Sequence, residues 1–200
     1  MGTMNTRLNV GWIVRPLQKN FRGYAKKRDV KGMLACSGSE DSMNIFLVNG
    51  RWFAERGMTE EALLAAWNNQ KSTLHWREHI KMFLTMCDRS KLMAAGDPLP
   101  EGETFTIYRG IGSSNYMLEG RRLGGEERGV SWTLDRDVAK FFAGAEGKIL
   151  TTEVRRDEIF AYLGQPQGET KYRREQEILV LLDEQHPIRI HEIISAEETD

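Results

Sequence analysis

The sequence predicts an α+β protein, with a helical and hairpin N-terminal part over residues 1–97 packed on a strand-rich core over residues 98–200, the two making one domain. Three observations predict it. Trp76, Ile80, Phe83, Leu84 and Cys87 fall at i, i+4, i+7, i+8 and i+11, a one-sided helical stripe. After Gly96-Asp97-Pro98 the apolar residues regroup into short β-branched and aromatic segments bounded by Gly, Pro and charges. A chain of 200 residues, 40% hydrophobic and 28% charged, is large enough for a proper core and has the composition of a globular protein.

Taken in order, residues 1–42 show no clear period. Their basic patch, Lys19, Arg22, Lys26, Lys27 and Arg28, reads as a solvated face. Met43 to Val48 and Trp52 to Phe53 flank Asn49-Gly50, a two-residue turn signal that predicts a β-hairpin. Thr59 is placed to cap a helix, with Glu60 and Glu61 in the first turn and Leu63, Leu64 and Trp67 following. A second helix is expected from about Thr73 to Cys87. Strands are expected at Thr104 to Tyr108, Gly129 to Thr133, Lys148 to Val154, Glu158 to Leu163, Glu177 to Leu182 and Ile188 to Ile193. One helix, Asp135 to Ala143, falls between the second and third, with Val138, Phe141 and Phe142 expected inward.

Net charge is −1, so no global field draws the chain to nucleic acid or membrane. Two cysteines, Cys36 and Cys87, both in apolar neighbourhoods, exclude a disulfide framework and read as buried thiols. No apolar run approaches the ~18 residues of a membrane span, and no signal peptide is evident. Gly2 to Thr6 matches a myristoylation pattern, and equally a cloning scar before Met4. A soluble, cytoplasmic protein is expected.

Three constellations compete for chemistry. Gly110-Ile111-Gly112-Ser113-Ser114-Asn115 half-matches the dinucleotide fingerprint, but it lacks the third glycine and reads as a turn. His75-Trp76-Arg77-Glu78-His79 matches H-x-x-E-H, a pattern that in some metalloproteases holds zinc. No third ligand is singled out, so a zinc protease through His75, Glu78 and His79 stands as a remote alternative and no metal is expected. The third has three parts in order: Arg109 at the end of an apolar strand, Ser131-Trp132-Thr133 at the end of a second strand before a helix, and Glu175-Gln176-Glu177 opening a third.

Together these parts resemble the Arg-Ser-Glu class of mono-ADP-ribosyltransferases, over about residues 98–194. That family's marks are a strand arginine, an S-T-S-like strand and an E-x-E or Q-x-E pair. The middle motif departs from the pattern in reading Ser-Trp-Thr, with Trp132 on the opposite strand face from Ser131. The resemblance implies a split β-sandwich core, and NAD⁺ as a substrate whose nicotinamide–ribose bond is cleaved. It implies Glu177 against the ribose and Glu175, of the same strand parity, toward the acceptor. It further implies Arg109, with its planar fork, and Gly110 and Ser131 as NAD⁺-binding residues. The family usually covers the nicotinamide with an aromatic; Trp132, Phe141 and Phe142 lie near in sequence and each reads as core. Lys171, Tyr172, Arg173 and Arg174 occupy the acceptor-contacting loop and would meet either an acidic protein surface or single-stranded nucleic acid. The expected activity is transfer of one ADP-ribose to a macromolecule, protein arginine favoured, as a toxin or effector acting in a cell's cytoplasm and open to a neutralising antitoxin or inhibitor. RNA or DNA as acceptor, NAD⁺ glycohydrolysis and a catalytically dead binding module are the alternatives.

Overall fold

The computed structural model describes residues 6–38, 41–69, 77–112, 117–118, 121–122, 127–164 and 175–194. The chain divides into two units, Met1–Ala95 and Gly96–Asp200. In the first, the described regular structure is helical: α1 (Gln18–Lys27), α2 (Val30–Ala35), α3 (Ser42–Val48), α4 (Gly50–Ala54), α5 (Thr59–Asn69), α6 (Arg77–Met86) and α7 (Arg89–Ala95). α1 ends where Arg28 turns left-handed at φ 58°, and Asp29 then caps α2 by accepting from Gly32 N–H at 2.8 Å. The basic side chains of this stretch, Lys19, Arg22, Lys26, Lys27 and Arg28, are exposed.

The Asn49-Gly50 hairpin is not formed. Ser42, Ile45, Phe46, Asn49, Trp52 and Phe53 are buried, and their spacing is i, i+3, i+4, i+7, i+10, i+11, a helical period. Asn49 is 2% exposed and serves as a brace rather than a turn residue. Its side chain accepts from Asn9 N–H at 2.7 Å and donates to the carbonyls of Asn9 at 3.1 Å and Ile45 at 3.0 Å. Three satisfied hydrogen bonds on one buried amide outweigh a local turn preference. α5 begins at Thr59 itself, one residue earlier than a Thr59 cap allows, with Glu60 and Glu61 in its first turn as expected. In α6, Ile80 and Leu84 are buried and Phe83 meets Phe46 edge-on at 5.3 Å; the expected start at Thr73 and Trp76 lies outside the described residues. Cys36 and Cys87 are free thiols; Cys36 is buried as expected, whereas Cys87 is only partly buried. Desolvation, with Asp29 adding a like-signed field, pushes the Cys36 thiol up; desolvation and Glu60 push Cys87 up to about 11.

The second unit is built on strands: β1 (Thr104–Ile111), β2 (Met117–Leu118), β3 (Arg121–Arg122), β4 (Ser131–Thr133), β5 (Lys148–Arg155), β6 (Ile159–Leu163), β7 (Glu177–Val180) and β8 (Arg189–Ile193), with α8 (Arg136–Ala143) between β4 and β5. β2 and β3 form a two-stranded ladder. The other six form one antiparallel sheet in the order β6-β7-β4-β1-β5-β8, so the fold class is α+β. β1 and β5 pair along their full length, from Thr104 with Arg155 to Ile111 with Lys148. At the centre, by contrast, β1 and β4 share a single partner pair, Tyr108 with Thr133. That single pair lies midway along the strand order, with three strands on either side.

Two expectations about the middle of this unit are overturned. Gly110 is not in a turn: β1 runs through it to Ile111, and Gly110 pairs with Ile149. α8 crosses so close that a Cβ on Gly110 would lie 1.9 Å from the Ala139 carbonyl oxygen, so helix backbone fills the space a side chain would take. Phe141 and Phe142 do not point inward; they are 69% and 54% exposed and meet each other edge-on at 5.6 Å. The buried face of α8 is Val138, Ala139 and Ala143. A helix seated on a glycine needs small residues at the contact, and two phenylalanines would hold it off.

Gly110→Ala is expected to destabilise the protein by at least ~1–3 kcal/mol, because backbone must move to admit the methyl. Phe142→Ser, at an exposed position, is expected to stay within ~0.5 kcal/mol of wild type. Urea denaturation of both variants checks this; equal effects would refute the seating of α8 on Gly110.

Candidate active site

Three of the expected residues come together where β4 meets β1 and β7. Ser131 opens β4 and Glu177 opens β7; their strands pair with Ser131 opposite Leu179 and Thr133 opposite Glu177. Ser131 and Glu177 are therefore diagonal neighbours on one face of the sheet, within reach of each other's polar atoms. Ser131 Oγ donates to Glu177 Oε1 at 2.5 Å, a charge-assisted hydrogen bond that fixes the carboxylate. From β1, on the far side of the junction, the half-buried Arg109 donates from Nη1 to the Ser131 carbonyl oxygen. One serine thus joins the arginine through its backbone and the glutamate through its side chain.

The residues between hold this arrangement from behind. Trp132 is 2% exposed and donates from Nε1 to the Gly129 carbonyl at 2.8 Å. Its position is core, as alternation along the strand requires. Thr133 is also buried, and its hydroxyl is fully used: it donates to the Glu175 carbonyl at 2.5 Å and accepts from Asp135 N–H at 3.0 Å. Leu134 N–H adds a bond to the Gln176 carbonyl at 3.1 Å. Asp135 then accepts from Asp137 and Val138 and starts α8.

These bonds revise the reading of Glu175. β7 starts at Glu177, and Gln176 has φ 45°, in the left-handed region that non-glycine residues seldom occupy. The regular strand therefore does not extend back to Glu175, and alternation alone no longer argues that both carboxylates share a face. Glu175 is exposed as a residue, yet partial desolvation of its carboxyl group raises its pKa above the ordinary carboxylate value. Gly110 is likewise explained by α8 rather than by a ligand, since the Ala139 carbonyl occupies its open side. Sequence reasoning missed Thr133 and Gly129 as supports of the site. The signal for Thr133 was a hydroxyl two residues before a capping aspartate; Gly129 had no local signal.

Lys171, Tyr172, Arg173 and Arg174 lie outside the described residues, as does His75. His79 is exposed. Among the described residues, no group of three or more His, Cys, Asp or Glu side chains is arranged to hold a metal ion. A cavity of 370 Å³ lies by the Thr104 end of β1, lined by Glu103, Thr104, Arg155, Arg156 and Asp157; Arg155 is paired with Asp157 at 2.9 Å. No family model, curated protein or solved structure matches the chain.

The raised pKa of Glu175 gives a signed prediction. Between its ordinary value of 4.5 and its folded-state value the native protein binds more protons than the unfolded chain, so stability falls as pH rises through that window. Glu175→Gln removes the cost of ionising there. It is expected to be more stable than wild type at pH 7, with the difference closing as pH drops below 4.5. Thermal unfolding at several pH values checks it; a variant less stable than wild type at neutral pH would show that the carboxylate is stabilised in place.

Proposed function

We propose that the chain is a NAD⁺-consuming mono-ADP-ribosyltransferase that works through Arg109, Ser131 and Glu177. The observation that carries this reading is the Ser131–Glu177 hydrogen bond, with the Arg109 guanidinium on the carbonyl of the same serine. An arginine fork, a hydroxyl and a fixed carboxylate are the groups that NAD⁺ cleavage asks for. The fork meets the anionic side of the dinucleotide. The carboxylate faces positive charge that develops on the ribose as the bond to nicotinamide lengthens, as in glycoside cleavage. Nicotinamide leaves with the bonding electron pair, and a nucleophile on the acceptor attacks the anomeric carbon and gives up a proton. Because Ser131 holds Glu177 before substrate arrives, little reorganisation is needed in the transition state. The single-pair junction between β1 and β4 supports the finer fold reading, a sandwich-like core split at the ligand cleft. Of the three aromatics near the motif, Trp132 is core, which leaves the exposed Phe141 and Phe142 as rings a nicotinamide could reach.

For the acceptor, a protein arginine addressed through Glu175 is the favoured reading. The left-handed Gln176 favours a second one, NAD⁺ glycohydrolysis, because it removes the alternation argument for two carboxylates side by side. Incubation with labelled NAD⁺ and cell lysate, followed by protease or nuclease, separates protein, nucleic-acid and water acceptors. Label lost to protease alone supports the favoured reading. Nicotinamide release without any label supports hydrolysis.

Glu177→Gln keeps size and loses charge, and is expected to lower nicotinamide release by ~10²-fold or more with folding retained. Activity within a few-fold of wild type would refute the site. Arg109→Ala is expected to weaken NAD⁺ binding by ~1.5–3 kcal/mol and Arg109→Lys to restore only part of it, measured by calorimetry. Glu175→Gln is expected to reduce transfer more than hydrolysis; equal losses would give Glu175 a place in the NAD⁺ step itself.

A further inference from the structure

We infer that Gly129 is a positioning residue, the seat that sets where Arg109 holds its guanidinium. The inference rests on the reading of Arg109 as the NAD⁺-binding arginine. A Cβ on Gly129 would lie 2.3 Å from Nη2, 2.4 Å from Cζ and 2.9 Å from Nε of Arg109. All three nearest atoms belong to one guanidinium, lying against the bare Cα. The φ of Gly129 is outside the left-handed region, so backbone conformation does not demand glycine here. The demand is for space on the arginine's side.

The surroundings decide which partner yields when that space is filled. The Gly129 carbonyl is held by the indole of the buried Trp132, and the next residue, Val130, accepts at its carbonyl from Val180 N–H at 3.0 Å. The chain at Gly129 is anchored from the core on both counts, whereas the guanidinium is the far end of a flexible side chain. A methyl group at position 129 therefore displaces the fork and breaks its bond to the Ser131 carbonyl, while the charge of Arg109 stays in the protein. A bidentate contact depends on orientation, so a displaced fork binds an oxyanion less well than a seated one. Trp132, which departs from the Ser-Thr-Ser pattern, gains a purpose from this: it buttresses the seat.

Gly129→Ala is the test, read by NAD⁺ calorimetry, steady-state nicotinamide release, thermal unfolding and the NMR position of the Arg109 Nε–H signal. The expected result is NAD⁺ affinity lowered roughly tenfold or more, with KM rising more than kcat falls, an unfolding midpoint no lower than that of Arg109→Ala and a moved Nε–H signal. In an Arg109→Ala background the same substitution should cost nothing further, since the seat then has no occupant. Wild-type affinity in Gly129→Ala beside weakened binding in Arg109→Ala would overturn the inference. So would an equal loss in both backgrounds, which would mean that Gly129 acts other than through Arg109. If Arg109→Ala binds NAD⁺ as tightly as wild type, the functional reading fails; the Nε–H signal then still judges the seat, and an unmoved signal overturns it.

Discussion

The guanidinium of Arg109 reaches from β1 to the backbone of β4, and the residues around it are arranged to admit and hold it. The ladder between β1 and β4 is reduced to the pair Tyr108 and Thr133. A half-buried carbonyl needs a donor, and Arg109 supplies one from across the gap. The neighbouring requirements follow. Gly129 must be bare to admit the fork, Trp132 must hold Gly129 still, and Ser131 must keep its hydroxyl free to turn toward Glu177. A fully formed ladder would satisfy the same backbone groups without the arginine.

The support of the E-x-E segment follows a similar logic. Thr133 and Leu134 bind the carbonyls of Glu175 and Gln176, tethering a stretch of chain that leaves strand geometry at Gln176. A left-handed glutamine is uncommon enough to persist only where its surroundings over-determine it. Here two hydrogen bonds from the end of β4 do so, and the same threonine starts α8 through Asp135. The middle motif thus works in two directions: Ser131 fixes the carboxylate, and Thr133 fixes the chain leading into it.

Much of the second unit was legible in the sequence because its strands are short runs of β-branched and aromatic residues between breakers, a signal that survives without tertiary context. The six expected segments all appear, with β1 longer than expected because Gly110 and Ile111 continue it. What was not legible depends on partners distant in sequence. Asn49-Gly50 carries a strong local turn signal, and only the contact with Asn9 turns Asn49 into a helical brace. Phe141 and Phe142 look like core by hydrophobicity alone, and only the seating of α8 on Gly110 turns them out. For the site, the residue types and order were readable at Arg109, Ser131 and Glu177. The geometry of Glu175 was not, because one left-handed residue cancels an alternation argument and leaves no mark in composition.

One of the two thiols has a use of its own. Cys36 and Cys87 both belong to the Met1–Ala95 unit, and desolvation raises the pKa of each thiol. Thiolate is the reactive form, so a disulfide reagent will find little to attack while this unit stays closed. For the buried Cys36, opening restores ordinary acidity and exposes the sulfur. The rate of Cys36 modification therefore clocks the transient opening of the helical unit, and the sheet unit, which has no cysteine, stays silent in that assay. Cys36 is thus a built-in reporter of opening in the helical unit.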